Sequence, residues 1–144
     1  MKNLYYLFIA SLFILFVSCK KDKHMNNEGH SIVGQWIIST EKVEEYNKDT
    51  KLREYTNTNV GKVSFRSDGT FTATGPNGEE PESGNYKFDA TTKTLSIKYE
   101  HETQFTSSPI LELTANKMVI KIELKNDPPF MGVDREVSTL TLTK

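Results

Sequence analysis

The sequence predicts an all-β protein, a small up-and-down antiparallel β-barrel of about eight or nine strands. Three observations carry this. From Ser31 onward, apolar and polar side chains alternate in short runs, and no stretch holds a sustained helical period. The runs are separated by hairpin-length turns rich in Gly, Asn, Asp and Pro. Trp36, the only tryptophan, stands just after Gly34 at the opening of the first run. Strands with one oily face need a partner surface, and closing the sheet supplies one while removing exposed edges. A two-sheet sandwich has the same period and stays open as the alternative.

The first strand is read at Ser31–Thr40, with Trp36 plugging one end of the tube and Gly34 letting the backbone bend. The segment Val43 to Tyr55 is mostly polar and reads as a connection that lies across one mouth, with a weak strand near Leu52–Thr56. Val63 and Phe65 then alternate with polar neighbours. Asp68-Gly69 is a strong hairpin signal because Gly accepts φ > 0. Phe71 and Ala73 continue the apolar face, and residues 75–81 form a loop by composition. Tyr86 and Phe88 mark the next strand, Asp89–Lys93 a turn, and Leu95, Ile97 and Tyr99 the strand after it. Leu111 and Leu113, then Met118, Ile120, Ile122 and Leu124, form a hairpin turned at Asn116-Lys117. Asn126–Asp134 reads as a Pro-rich loop, and Glu136–Thr143 as the last strand.

With 144 residues there is room for one domain. A net charge of −1 gives no electrostatic reason to seek nucleic acid. A single cysteine rules out an internal disulfide. The apolar run from Leu4 to Val17 follows Lys2 and is shorter than the ~20 residues of a membrane-spanning helix, as in a secretion signal. It ends in Leu15-Phe16-Val17-Ser18-Cys19, which resembles the lipobox of bacterial lipoproteins, with Phe16 where Leu is usual. The resemblance implies a signal peptide over 1–18 and acylation of Cys19 with palmitate-type chains. It also implies anchoring to membrane lipid. Lys20 stands where some bacteria use Asp for inner-membrane retention, so the outer membrane is the expected location. Residues 19–30 read as a polar tether and 31–144 as the folded domain.

Gly34-Gln35-Trp36 resembles the Gly-x-Trp signature of lipocalins. The later blocks Val63–Phe71, Ser83–Phe88, Leu95–Ile97 and Ile110–Met118 resemble lipocalin-like domains of Bacteroidetes lipoproteins. The likeness spans about residues 31 to 143. It implies a lipocalin-like barrel with no generally assigned ligand or reaction. Lipocalins also pack an Arg near the last strand over the Trp, and Arg135 is the residue at hand. The Thr-Asp-Tyr motif of lipocalins and the Arg-x-Tyr carboxylate clamp of fatty-acid-binding relatives do not occur here.

Two places qualify as sites. The interior is expected to hold Trp36, Phe65, Phe71, Tyr86, Phe88 and Tyr99, with Leu111 among the aliphatic residues beside them. So many aromatics favour a filled core. Any cavity would be apolar, with Tyr86 and Tyr99 as polar handles. The loops offer Tyr46 and Tyr55 across one mouth, and Phe130 and Met131 after two prolines; the latter pair is expected to tuck against the barrel end. His24, His30 and His101 lack metal-ligand spacing, and the acidic run Glu79, Glu80 and Glu82 lacks the pattern of a calcium loop. Adjacent Glu44 and Glu45 point to opposite faces of a strand and share no proton. No catalytic set, metal or cofactor is expected. The reading is a lipid-anchored envelope protein that binds a small apolar ligand without catalysis, or a filled barrel that meets an envelope protein partner through its loops.

Overall fold

The computed structural model describes residues 31–77 and 79–144. The expected leader, tether and acylated Cys19 lie outside the described residues. Eight strands form one closed antiparallel barrel in sequence order. They are β1 (Gly34–Asn47), β2 (Thr50–Phe65), β3 (Thr70–Thr74), β4 (Glu82–Asp89), β5 (Thr94–Tyr99), β6 (Thr106–Leu113), β7 (Lys117–Phe130) and β8 (Val133–Thr143). Closure comes from β1 pairing with β8, from Ile37 opposite Thr143 to Tyr46 opposite Arg135. That settles barrel against sandwich, and eight strands against nine.

The barrel is lopsided. β1, β2, β7 and β8 run for 14, 16, 14 and 11 residues, whereas β3 to β6 have 5, 8, 6 and 8. All eight share the base, where the core lies: Ile32, Trp36, Val63, Phe65, Phe71, Leu95, Ile110, Met118, Ile120 and Leu142. The long strands rise past the short ones as a four-stranded wing in the order β7-β8-β1-β2.

Two expectations are corrected by the wing. The polar segment Val43–Tyr55 is not a loop: β1 and β2 continue through it, and only Lys48 and Asp49 turn the chain. Likewise β7 runs through Asn126–Phe130, with Phe130 opposite Val133. The first is strand because β1 and β2 pair through it; the second lies between Lys125 opposite Arg135 and Phe130 opposite Val133, across an irregularity in the register. Polar side chains there hide the strands from a reading of hydropathy, although Val43 and Glu45 are buried.

A third correction concerns β6. The register of β6 against β7 shifts between Ile110 and Glu112, so Leu111 is an extra residue. The bulge turns Leu111 outward, 56% exposed, while Ile110 is 3% exposed and takes the inward place.

Two glycines meet backbone requirements. Gly69 has φ of +83° in the β2–β3 turn, where Arg66 N and Thr70 O lie 2.9 Å apart. Gly84 brings β4 so close to its neighbours that a Cβ there would overlap the Lys98 carbonyl and the Phe71 ring.

Candidate functional site

The barrel interior is hollow above its base. A cavity of about 210 Å³ lies between the two halves of the barrel. Ile38, Val63, Ile120, Ile122, Leu140 and Leu142 line it from the long strands, and Phe71, Ala73, Leu95, Ile97 and Tyr99 from the short ones. Phe65 completes the apolar wall, and Thr106, Ser108 and Glu102 add the polar groups. The expectation of a filled core is overturned. Strand pairing fixes the diameter of the tube, and the inward places on β6 hold Thr106 and Ser108 rather than large side chains, so the bore is left partly open.

In the core below the cavity, Trp36 plugs the base, fully buried, as the sequence predicts. Its indole Nε1 donates to the Ile32 carbonyl at 2.7 Å, which satisfies its polar atom and ties down the strand entry. Lys144 Nζ sits 4.5 Å from the ring centroid. Arg135, expected over the tryptophan, instead lies 4.0 Å over the Tyr46 ring at the far end of the molecule. Arg135 and Tyr46 are direct cross-strand partners of β8 and β1, so the cation stacks where the register places it.

Of the interior residues expected to make a site, Phe65, Phe71 and Tyr99 line the cavity. Trp36, Tyr86 and Phe88 do not; they pack the base around it. Phe65 meets Tyr86 edge-on at 4.9 Å, and Phe71 meets Tyr99 edge-on at 5.3 Å. Tyr86 is no handle for a ligand, because its hydroxyl donates to the Arg66 carbonyl at 2.7 Å. Burial raises the Tyr99 phenol above its usual pKa, with Glu82 and Glu102 adding to the shift, so it stays protonated. Its ring also stacks on His101 at 5.7 Å. Glu102 accepts a hydrogen bond from the Tyr99 backbone N–H at 3.0 Å, which holds the β5–β6 connection beside the cavity.

The four loop residues fall in three settings. Tyr46 is on β1, stacked under Arg135. Tyr55 is on β2 opposite Val43, on the inner face of the wing. Phe130 and Met131 stand at the β7–β8 turn, 72% and 87% exposed, rather than tucked against the barrel. Their turn caps the wing, which carries it away from the base where apolar groups collect.

Sequence reasoning missed Glu102, Thr106 and Ser108. None is apolar, so none marks an inward place by hydropathy. A strand predicted to begin at Thr106 would have counted Thr106, Ser108 and Ile110 onto one face. It also missed the inner face of the wing, where Glu45 is 4% exposed. Glu45 accepts from Arg53 Nε at 2.5 Å and from its terminal nitrogen at 2.8 Å. On the outer face Glu44 stands directly opposite Glu54. Lys51 bridges the two carboxylates at 2.9 and 2.7 Å, and Lys42 adds contacts of 3.4 and 3.3 Å. Glu44 and Glu45 thus point to opposite faces, as adjacent residues on a strand must. Among the described residues no group of three or more His, Cys, Asp or Glu is placed to hold a metal ion.

Residues 32–120 match the lipocalin-like domain. This chain belongs to the lipocalin-like domain family. The family's barrel is a small-ligand binding module in general, and its members are mostly not enzymes. The lipocalin-like chain also resembles the crystal structure of a DUF4847 family protein from Bacteroides vulgatus, at 13% identity over 74% of this chain and 91% of that one. The TM-score is 0.41. No curated protein matches the chain at a significant level.

Proposed function

We propose that this lipocalin-like protein is anchored to the bacterial envelope through acylated Cys19 and binds one small apolar molecule in its barrel, without catalysis. One observation carries the binding reading: a cavity whose walls are almost wholly apolar, with Glu102, Thr106 and Ser108 as its polar residues. Its size limits the cargo. A dry cavity of ~150 Å³ takes up benzene. At about 210 Å³ this one suits a single ring or a short branched or linear alkyl chain. A long-chain fatty acid would have to leave most of its tail outside. The anchoring half of the proposal is supported by the lipobox-like end of the leader, and the outer membrane by Lys20 after the cysteine.

The experiment is native mass spectrometry of the protein taken from its own membrane. An added mass of a small apolar compound is expected, and it should vanish in Ala73→Phe, whose ring would occupy the cavity. A barrel that is empty in both forms sinks the reading. Labelling cells with an alkyne analogue of palmitate should mark the wild type and not Cys19→Ser.

A second reading rests on Phe130 and Met131. An exposed apolar pair at the tip of a stiff hairpin suits contact with another envelope protein. Phe130→Ser with Met131→Ser would abolish such contact and leave the cavity mass unchanged.

A further inference from the structure

The cavity is apolar over most of its wall, and its polar groups collect on one side. They stand where β5 passes into β6: Tyr99, Glu102, Thr106 and Ser108. Thr106 and Ser108 lie opposite Ile97 and Leu95, so they share the inward face with them. Glu102 is the one charged residue in the lining. Its Oε2 accepts from the Tyr99 backbone N–H at 3.0 Å. Its Oε1 and the Tyr99 hydroxyl have no hydrogen-bond partner among the described residues.

The charges around the mouth have one sign. Glu82 stands opposite Ala73 and Glu41 opposite Leu140, so each shares a face with a residue that lines the cavity. Ser138 Oγ at 3.1 Å and Asn57 Nδ2 at 3.0 Å hold the Glu41 carboxylate in place. Beyond the effect of burial, Glu82 and then Glu102 raise the pKa of the Tyr99 phenol, as negative charges close to it do. Lys62, Lys98 and Lys121 each neighbour residues that line the cavity, and so belong to the outer face. Arg53 is the cation on the inner face of the wing among the described residues, and Glu45 holds it in a bidentate pair farther up.

We infer that the cargo is a small amine, its apolar ring or short alkyl chain in the cavity and its ammonium group at the mouth against Glu102. This rests on the cavity reading above and adds the head group of the cargo. An ammonium donates hydrogen bonds and accepts none. Glu102 Oε1, the Tyr99 oxygen and the Thr106 and Ser108 hydroxyls offer acceptors along one wall. The bond to Glu102 is charge-assisted, and so stronger than the one an alcohol would make there. At the polar mouth the head also keeps part of its water, which limits the cost of desolvating a charge. A carboxylate head in the same place would face Glu102, with Glu82 and Glu41 on the rim around it. Like-charge repulsion of that kind selects against a wrong ligand. Charge therefore turns away fatty acids, as the size of the cavity does.

An NMR titration of the full chain in mild detergent tests this, with toluene, benzylamine, benzyl alcohol and benzoate as probes. They share a ring and differ in the head. Benzylamine should bind about tenfold more tightly than benzyl alcohol and about a hundredfold more tightly than benzoate. Glu102→Gln keeps an acceptor for the Tyr99 N–H and loses the charge. It should weaken benzylamine about tenfold and leave toluene unchanged. Ala73→Phe should block every probe. If toluene binds but benzylamine gains nothing over benzyl alcohol, the amine inference is overturned and the cavity reading stands. The same holds if Glu102→Gln binds benzylamine as the wild type does. If no probe binds, or if Ala73→Phe leaves binding intact, both are overturned.

Discussion

The base of the barrel and the wing above it are built from the same strands, yet they are held together differently. At the base, Trp36 is fully buried and sits among the apolar side chains of the core. In the wing, the described side chains of β2 from Thr50 to Asn59 are all exposed. The contacts there are paired charges, Glu45 with Arg53 inside and the Glu44, Glu54, Lys42 and Lys51 group outside. Hydrophobic burial therefore dominates the base, whereas the wing, apart from Val43 and Val137, relies on main-chain pairing with charge neutralisation. The exposed ion pairs of the outer group typically contribute ~0–1 kcal/mol each, whereas a buried tryptophan contributes several; Glu45 is buried and depends more on its partner. The wing should thus open locally while the base holds.

Substitutions at the base should break the contrast from below. Trp36→Ala removes the plug and should cost ~3–5 kcal/mol in urea unfolding followed by circular dichroism. A loss under 1 kcal/mol would show that the base does not depend on its plug. Next in size is Gly84→Ala. Its new Cβ would overlap the Lys98 carbonyl and the Phe71 ring, so a loss of ~1–3 kcal/mol is expected on the same curve.

Changes in the wing should leave that curve nearly where it was. Arg53→Ala leaves Glu45 without its bidentate partner. Hydrogen exchange of the wing amides, from Thr40 of β1 and up to Thr58 of β2, should quicken well beyond any change in the urea midpoint. A concerted shift of the midpoint would mean that wing and base unfold as one unit.

The smallest effect is electrostatic. Hydrogen bonds from Lys51 and Lys42 hold the Glu54 carboxyl down to about 2, against an ordinary value of 4.5. Because the folded value is depressed, the stabilisation is complete above pH 4.5 and is lost as pH falls through about 2. A ¹³C NMR titration of that carboxyl should find its midpoint near 2 in the wild type and clearly higher in Lys51→Ala. Molar salt should narrow the gap, since the cluster faces solvent.

The same contrast explains what was legible in the residues. Trp36, Phe65, Phe71, Leu95 and Ile120 could be placed inward because burial on one face leaves a two-residue imprint. The wing leaves almost none: the side chain buried next after Val43 is the charged Glu45, which carries no hydropathy signal, so Glu44–Thr50 reads as a loop. Leu111 was misassigned because a bulge adds a residue without changing composition. Phe130 and Met131 were expected inside because apolar groups usually are, but their hairpin carries them beyond reach of the core.

Hydropathy rhythm and turn chemistry alone determined that this is a β protein, where its turns at Asp68-Gly69 and Asn116-Lys117 fall, and that Trp36 anchors it. These are local properties, and each is written in a few neighbouring residues. The bore of the tube, the unequal heights of its walls and the meeting of Arg135 with Tyr46 belong to the register between strands. Register couples residues far apart in the chain, and only the closed barrel brings them face to face.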